Sequence, residues 1–308
     1  MHETDVQALF ERGDAYYKRA GVYQELSETE SAIFDYNQAI RDYSQMIAIN
    51  SEHIDAYTER GNSYTKLGQL RQVAGDYDQA ISHYQQAIVD HNKAIELNPN
   101  SHTFYNNRGQ TYNYWGELYH EQSVFYNNLI EYQHALNIHH QSLPYLQRAI
   151  EDFDKAITLN SNSTEFYINR GVTYYNLGLY SSPKKFARPP YGLDDRVDAF
   201  LGIESDKEQT CQQQEDEFDE ASVIAFSQSL VSYTSDMSDE KQTIQYYEQA
   251  IINHTHAISL DDTSPFAYYN RAVAYSAFGD VEQALSDFKQ AIKKRNSLDP
   301  SLSISLSC

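Results

Sequence analysis

Basic residues, cysteine, glycine and proline are all scarce in this sequence, and each scarcity removes a class of structure or function. Lysine and arginine number 23 against 44 aspartates and glutamates, giving the 308-residue chain a formal charge of −21. That sign repels the phosphates that dominate nucleic-acid affinity and the anionic lipids that draw proteins to membranes. Neither nucleic acid nor a membrane is an expected partner, and no apolar run approaches the roughly 18 residues of a membrane span. Cysteine occurs only at Cys211 and Cys308, which makes neither a disulfide framework nor a metal quartet. Cys308 is also the last residue, whereas prenylation requires further residues after the cysteine. Met1-His2-Glu3-Thr4-Asp5 lacks the basic and apolar stretches of a signal peptide, so the expected compartment is the cytoplasm. With 12 glycines and 7 prolines the chain is poor in turn formers, while Ala, Gln, Glu, Leu and Ile abound. The expected class is all-α, and a hydrophobic content of 41% is enough to bury a core.

What is present is a repeat. The phrase Arg-Gly, two residues, Tyr occurs at Arg12-Gly13-Asp14-Ala15-Tyr16, Arg60-Gly61-Asn62-Ser63-Tyr64, Arg108-Gly109-Gln110-Thr111-Tyr112 and Arg170-Gly171-Val172-Thr173-Tyr174. A fifth copy, Arg271-Ala272-Val273-Ala274-Tyr275, has Ala for Gly. Between successive copies lies a second phrase, an Ala-Ile or similar segment running into Ile49-Asn50, Leu97-Asn98, Leu159-Asn160 or Leu260-Asp261. After the fifth copy comes Ala291-Ile292. Two alternating phrases imply a two-helix unit.

These residues resemble the tetratricopeptide repeat family. Residues 265–298 follow its 34-residue pattern without a gap, through Tyr268, Arg271, Ala272, Tyr275, Gly279, Ala284, Phe288 and Ala291. The resemblance implies an αα-hairpin superhelix of about five helix-turn-helix units. The other units are longer, because the marker glycines are spaced by 48, 48, 62 and 101 residues. The first three intervals exceed 34 by multiples of seven, about two helical turns, so lengthened helices and not inserted loops are expected. Turns are then expected near Ser27, where Ser27-Glu28-Thr29-Glu30 has a capping-box pattern, at Gly75-Asp76, and by Asn127-Asn128.

The expected organisation is residues 6–53, 54–101 and 102–163 as lengthened units, 164–264 as a unit with an insertion at 181–237, 265–298 as a regular unit, and 299–308 as a tail. Pro144 leaves two paths open for the third unit, a kinked long hairpin or a three-helix version. In the fourth, Gly178 sits at the ordinary turn position and a long helix is expected from about Asp239 to Leu260. Part of the insertion is expected to fold over the apolar end of that helix.

The family resemblance implies a concave groove lined by the first helix of each unit and occupied by a peptide or helix of a partner protein. The groove-facing candidates are Asp14, Tyr17, Asn62, Thr65, Asn106, Asn107, Gln110, Asn113, Ile168, Val172, Tyr175, Tyr269 and Val273. Family members that hold acidic C-termini use a clamp of Lys, Asn, Asn, Lys and Arg. Here Asn62 and Asn107 match its asparagines, but Thr58, Glu165 and Asn169 replace its cations, which disfavours that ligand. The 27 tyrosines fit helix packing and groove lining, not base stacking. The repeated arginines hold one place in every unit, the mark of a structural role.

No phosphate loop, dinucleotide fingerprint, nucleophile elbow or zinc helix is present, so no enzyme activity and no cofactor are expected. Glu117-x-x-His120 and Glu131-x-x-His134 have the spacing of di-iron bundles, but no bridging carboxylates accompany them and no metal is expected. The reading is a non-enzymatic scaffold or adaptor for a protein partner, with a cytoplasmic chaperone for an apolar or exported substrate as the alternative and a metal-binding helical enzyme, resting only on the two Glu-x-x-His pairs, as the third and least favoured.

Overall fold

Residues 3–128, 132–181 and 241–298 are described by a computed structural model of the chain. Among them every regular element is an α-helix: α1 (Glu3–Glu25), α2 (Thr29–Ile49), α3 (Ile54–Val73), α4 (Tyr77–Leu97), α5 (His102–Asn128), α6 (Tyr132–Leu159), α7 (Thr164–Tyr180), α8 (Lys241–Leu260), α9 (Pro265–Phe278) and α10 (Val281–Leu298). Consecutive helices pair as hairpins. The chain divides into two compact units, residues 1–122 with 140–161 and residues 123–139 with 162–308. The architecture is the expected αα-hairpin array.

Each hairpin is built on a small residue under a ring. A Cβ added to Gly13 would lie 2.8 Å from Tyr43, one on Gly61 2.7 Å from His91, one on Gly109 2.9 Å from Phe153 and one on Gly171 2.6 Å from His254. Ala272 and Phe288 share a core cluster in the last hairpin. The residue before each of these rings is Asp42, Asp90, Asp152, Asn253 or Asp287, and it receives the arginine of the repeat phrase. Arg60 donates Nε and Nη2 to the two carboxylate oxygens of Asp90 at 2.8 and 2.7 Å, the paired geometry that makes such bonds strong. Its Nη1 donates to Ser44 Oγ on α2, and Arg108 repeats the arrangement with Asp152 on α6 and Asn92 on α4. The arginines are structural as expected, four through buried carboxylates and Arg170 through the Asn253 carboxamide, and not by snorkelling alone.

The lengthening adds a second layer of the same kind, seven residues along. Ala20 lies in a cluster with Tyr36, a Cβ on Gly68 would run into the Tyr84 ring, and Cβ atoms on Gly116 and Gly178 would stand 2.8 Å from Leu146 and 2.6 Å from Tyr247. In the regular last hairpin the equivalent residue, Gly279, is the turn itself, with φ +97°. In the lengthened ones the turn moves a further heptad, to Ser27 (φ +55°) and Gly75 (φ +75°). At all three turns the next amide reaches back to the helix: Glu28 N to Tyr23 O, Asp76 N to Arg71 O and Asp280 N to Tyr275 O. Ser27 therefore ends α1 in a left-handed conformation. It does not cap α2, whose N-cap residue Glu28 makes no side-chain bond.

Gly178 is a correction of the same origin. It is not a turn but lies inside α7, under Tyr247, so the first helix of this hairpin does cover the apolar end of α8. Residues 182–240, with nearly all of the expected insertion and Cys211, lie outside the described residues, as do 299–308 with Cys308. Pro144 falls within one unbroken α6, which excludes the three-helix version. Proline has no N–H to offer the His140 carbonyl, and His140 and Pro144 both lie on an exposed part of the helix. The asparagines that close the second helices form Asx turns. Asn50 and Asn98 accept from the amides of Glu52 and Asn100, and Asp261 does the same for Thr263.

Candidate peptide-binding face

In the first unit the leading helices α1, α3 and α5 contribute to one face, on which α3 and α5 are tied by polar pairs. Thr65 and Thr111 share a hydroxyl hydrogen bond of 2.8 Å, and each also bonds the carbonyl four residues back. One turn earlier, Asn107 Nδ2 donates to Asn62 Oδ1 at 3.1 Å, and Asn62 Nδ2 donates to Glu59 Oε2 at 3.3 Å. A chain of amides thus runs from α5 to a carboxylate on α3.

The face is electrostatically uneven. Burial is the main force raising Glu59 above the ordinary carboxylate range, and the charges of Asp14 and Asp55 add to it against the Asn62 bond. Lys18, the nearest cation acting on Glu59, is engaged by Asp14 at 2.7 Å. Tyr17 is pushed up to about 12, chiefly by burial and then by Glu59 and Tyr114. Beneath them Tyr43 is fully buried, and its hydroxyl has no hydrogen-bond partner. Burial raises Tyr43 far above its usual value, with Glu59 and Asp14 the next contributors, and its ring packs with Tyr17 and Ala56 and against Gly13. One turn beyond Asn62, burial lowers Lys66.

The candidates divide by exposure. Asp14, Tyr17, Asn62, Asn107 and Gln110 in the first unit, and Ile168, Val172 and Tyr175 in the second, are partly exposed. Thr65, Asn106, Asn113, Tyr269 and Val273 are buried and offer no open surface. The physical reason is packing. Thr65 is spent on Thr111, Asn113 donates to Glu117 at 2.8 Å, and Tyr269 and Val273 join the Phe288 core with Tyr175 against it. Of the clamp positions, Thr58 is buried and bonds the Ile54 carbonyl. Among the described residues no three His, Cys, Asp or Glu side chains converge on a metal-sized site; the side chains of Glu131 and His134 lie outside the described set.

Sequence reasoning missed Glu59 and Tyr43. Glu59 precedes the repeat arginine, a place that the repeat leaves variable. Tyr43 was findable, since the second helices carry Asp42-Tyr43, Asp90-His91, Asp152-Phe153, Asn253-His254 and Asp287-Phe288, and only the first brings a hydroxyl.

Two tetratricopeptide repeat models match the chain, one over residues 13–41 and 267–294 and the other over residues 65–113. No curated protein matches it in sequence. Similar solved structures include the MamA protein, at 15% identity over 100% of both chains with a TM-score of 0.48. Another is TTC0263, a thermophilic TPR protein in Thermus thermophilus, at 13% identity over 95% of each chain with a TM-score of 0.48. A third is YrrB, a TPR protein with an unusual peptide-binding site, at 16% identity over 93% of this chain and 86% of that one, with a TM-score of 0.35.

Proposed function

Since the chain is a tetratricopeptide repeat protein, we propose that it is a non-enzymatic scaffold that holds an extended segment of a partner protein on the leading-helix face of its first unit. The observation that carries this reading is the amide chain Asn107–Asn62–Glu59. It leaves the Asn107 carboxamide oxygen and one amide hydrogen to meet a peptide backbone, which needs an acceptor and a donor side by side. Tyr17, Asn62 and Gln110 flank it and are partly exposed. The partly exposed Ile168, Val172 and Tyr175 give the second unit a more apolar face of its own.

No helix among the described residues is long and apolar enough to cross a membrane, and the acidic charge favours a protein partner over nucleic acid. The proposed compartment is the cytoplasm. The test is site-specific photocrosslinking in the native host, with a benzophenone amino acid at Lys66, on the proposed face, and at Val89, exposed on the trailing helix α4. A partner captured repeatedly from position 66 and not from 89 is the expected result. Equal capture from both positions, or none from 66, overturns the assignment.

A further inference from the structure

We infer that the ligand of this face is a basic segment, with an arginine or lysine side chain seated against Glu59 beside Tyr17. This rests on the reading of the face given above and names the chemistry of its occupant. Three independent features point to a cation. Glu59 is a half-buried carboxylate that accepts one neutral side-chain amide at 3.3 Å, although a carboxylate has room for several donors. Its nearest cation is held by Asp14. Tyr17 packs with Tyr43 and with Ala56, which lies one turn before Glu59 on α3, so the carboxylate stands beside a ring. A carboxylate beside tyrosine faces accepts both the charge and the aliphatic stem of a basic side chain.

The third feature lies under the site. The Tyr43 hydroxyl is fully buried without a partner, and native proteins rarely leave such a group unsatisfied. The other hairpins fill this place with His91, Phe153, His254 or Phe288, so the hydroxyl is not needed to pack against the small residue. Its ring packs with Tyr17 and Ala56, one turn before Glu59, and lies against Gly13, the residue before Asp14. A donor from a guanidinium or ammonium entering above Tyr17 satisfies Glu59 and reaches the tyrosine oxygen as an acceptor. The amide chain ending at Asn107 then holds the backbone of the same segment.

The test uses the full chain and three fluorescent octapeptides, alike in a serine and alanine background but bearing two arginines, two glutamines or two glutamates. Binding is read by anisotropy at low and at physiological salt. The arginine peptide is expected to bind about tenfold or more tightly than the glutamine peptide, with the glutamate peptide weakest. Glu59→Gln should remove that preference, and Tyr43→Phe should weaken the arginine peptide while sparing the glutamine one. Thermal melts of both variants, expected near that of the parent, exclude unfolding as the cause. Equal affinity for the three peptides, all weakened by Asn107→Ala, overturns the cation assignment and leaves the peptide face standing. Binding of none of the three overturns both.

Discussion

The His91 ring lies across Gly61, its Cε1 2.7 Å from where a Cβ would stand, and neither ring nitrogen has a hydrogen-bond partner. His254 repeats this over Gly171. Burial, and secondarily the charge of Arg108 or Arg271, depresses each imidazole to about 3. The folded protein therefore keeps both neutral while the unfolded chain protonates them near 6.5. The unfolded state binds more protons as pH falls, so stability is intact above about 6.5 and lost progressively toward 3. At pH 5 the loss is about 2 kcal/mol per histidine. His91→Phe, which copies Phe153, should raise stability at pH 7 by about 1 kcal/mol and flatten its decline to pH 5. Urea midpoints at the two pH values decide this, and an unchanged gap between them rules it out.

Two helical glycines should respond oppositely to alanine. Gly61→Ala puts a methyl group into the His91 ring and should cost about 2 kcal/mol. Gly21→Ala meets nothing within 4 Å and should gain about 0.5 kcal/mol, because glycine is a poor helix former. Denaturation of the two variants beside the parent should show midpoints on either side of it.

Ser27 sits at φ +55°, where Gly75 and Gly279 occupy the equivalent turns. A side chain in that region is strained, so Ser27→Gly should stabilise the first hairpin by about 1 kcal/mol. Gly75→Ala should cost a similar amount. A drop in melting temperature for Ser27→Gly would contradict the turn assignment.

Among ion pairs, burial decides the effect. Asp90 is 2% exposed beside Arg60 at 20%, and Arg60→Ala leaves that carboxylate uncompensated, at a cost of about 3 kcal/mol. Lys93 pairs with Glu96 at the surface, and Lys93→Ala should change the unfolding midpoint by no measurable amount. Comparable shifts in the two variants would be the contrary result.

The hairpin array was legible because its signals are local. Arg-Gly-x-x-Tyr marks each leading helix, the Leu-Asn endings mark each trailing one, and the multiples of seven announced longer helices. Gly178 misled because one residue type serves two purposes, a left-handed turn at Gly279 and close approach to a ring at Gly178, and sequence alone shows only the absence of a Cβ. Pro144 left two paths open because the cost of a proline inside a helix depends on its surroundings, which the pattern does not encode. On the binding face, the partial exposure of Asn62 and the burial of Asn106 follow from how α3 and α5 approach each other, and a single helical wheel cannot supply that distance. Glu59 and Tyr43 acquire their character from α1, α2 and α3 meeting, a property of no one segment.

The reach of Arg60 from Asp90 on α4 back to Ser44 on α2 bears on how the first unit opens. A hairpin bounded by side-chain packing alone could fray as its own cooperative block, and amide exchange would then step down at each hairpin border. Here the guanidinium crosses that border, and Arg108 crosses the next one to Asn92. Peeling α1 and α2 away strips a partner from an arginine that also shields a buried carboxylate, so slow-exchanging amides should extend from α2 into α4 as one foldon.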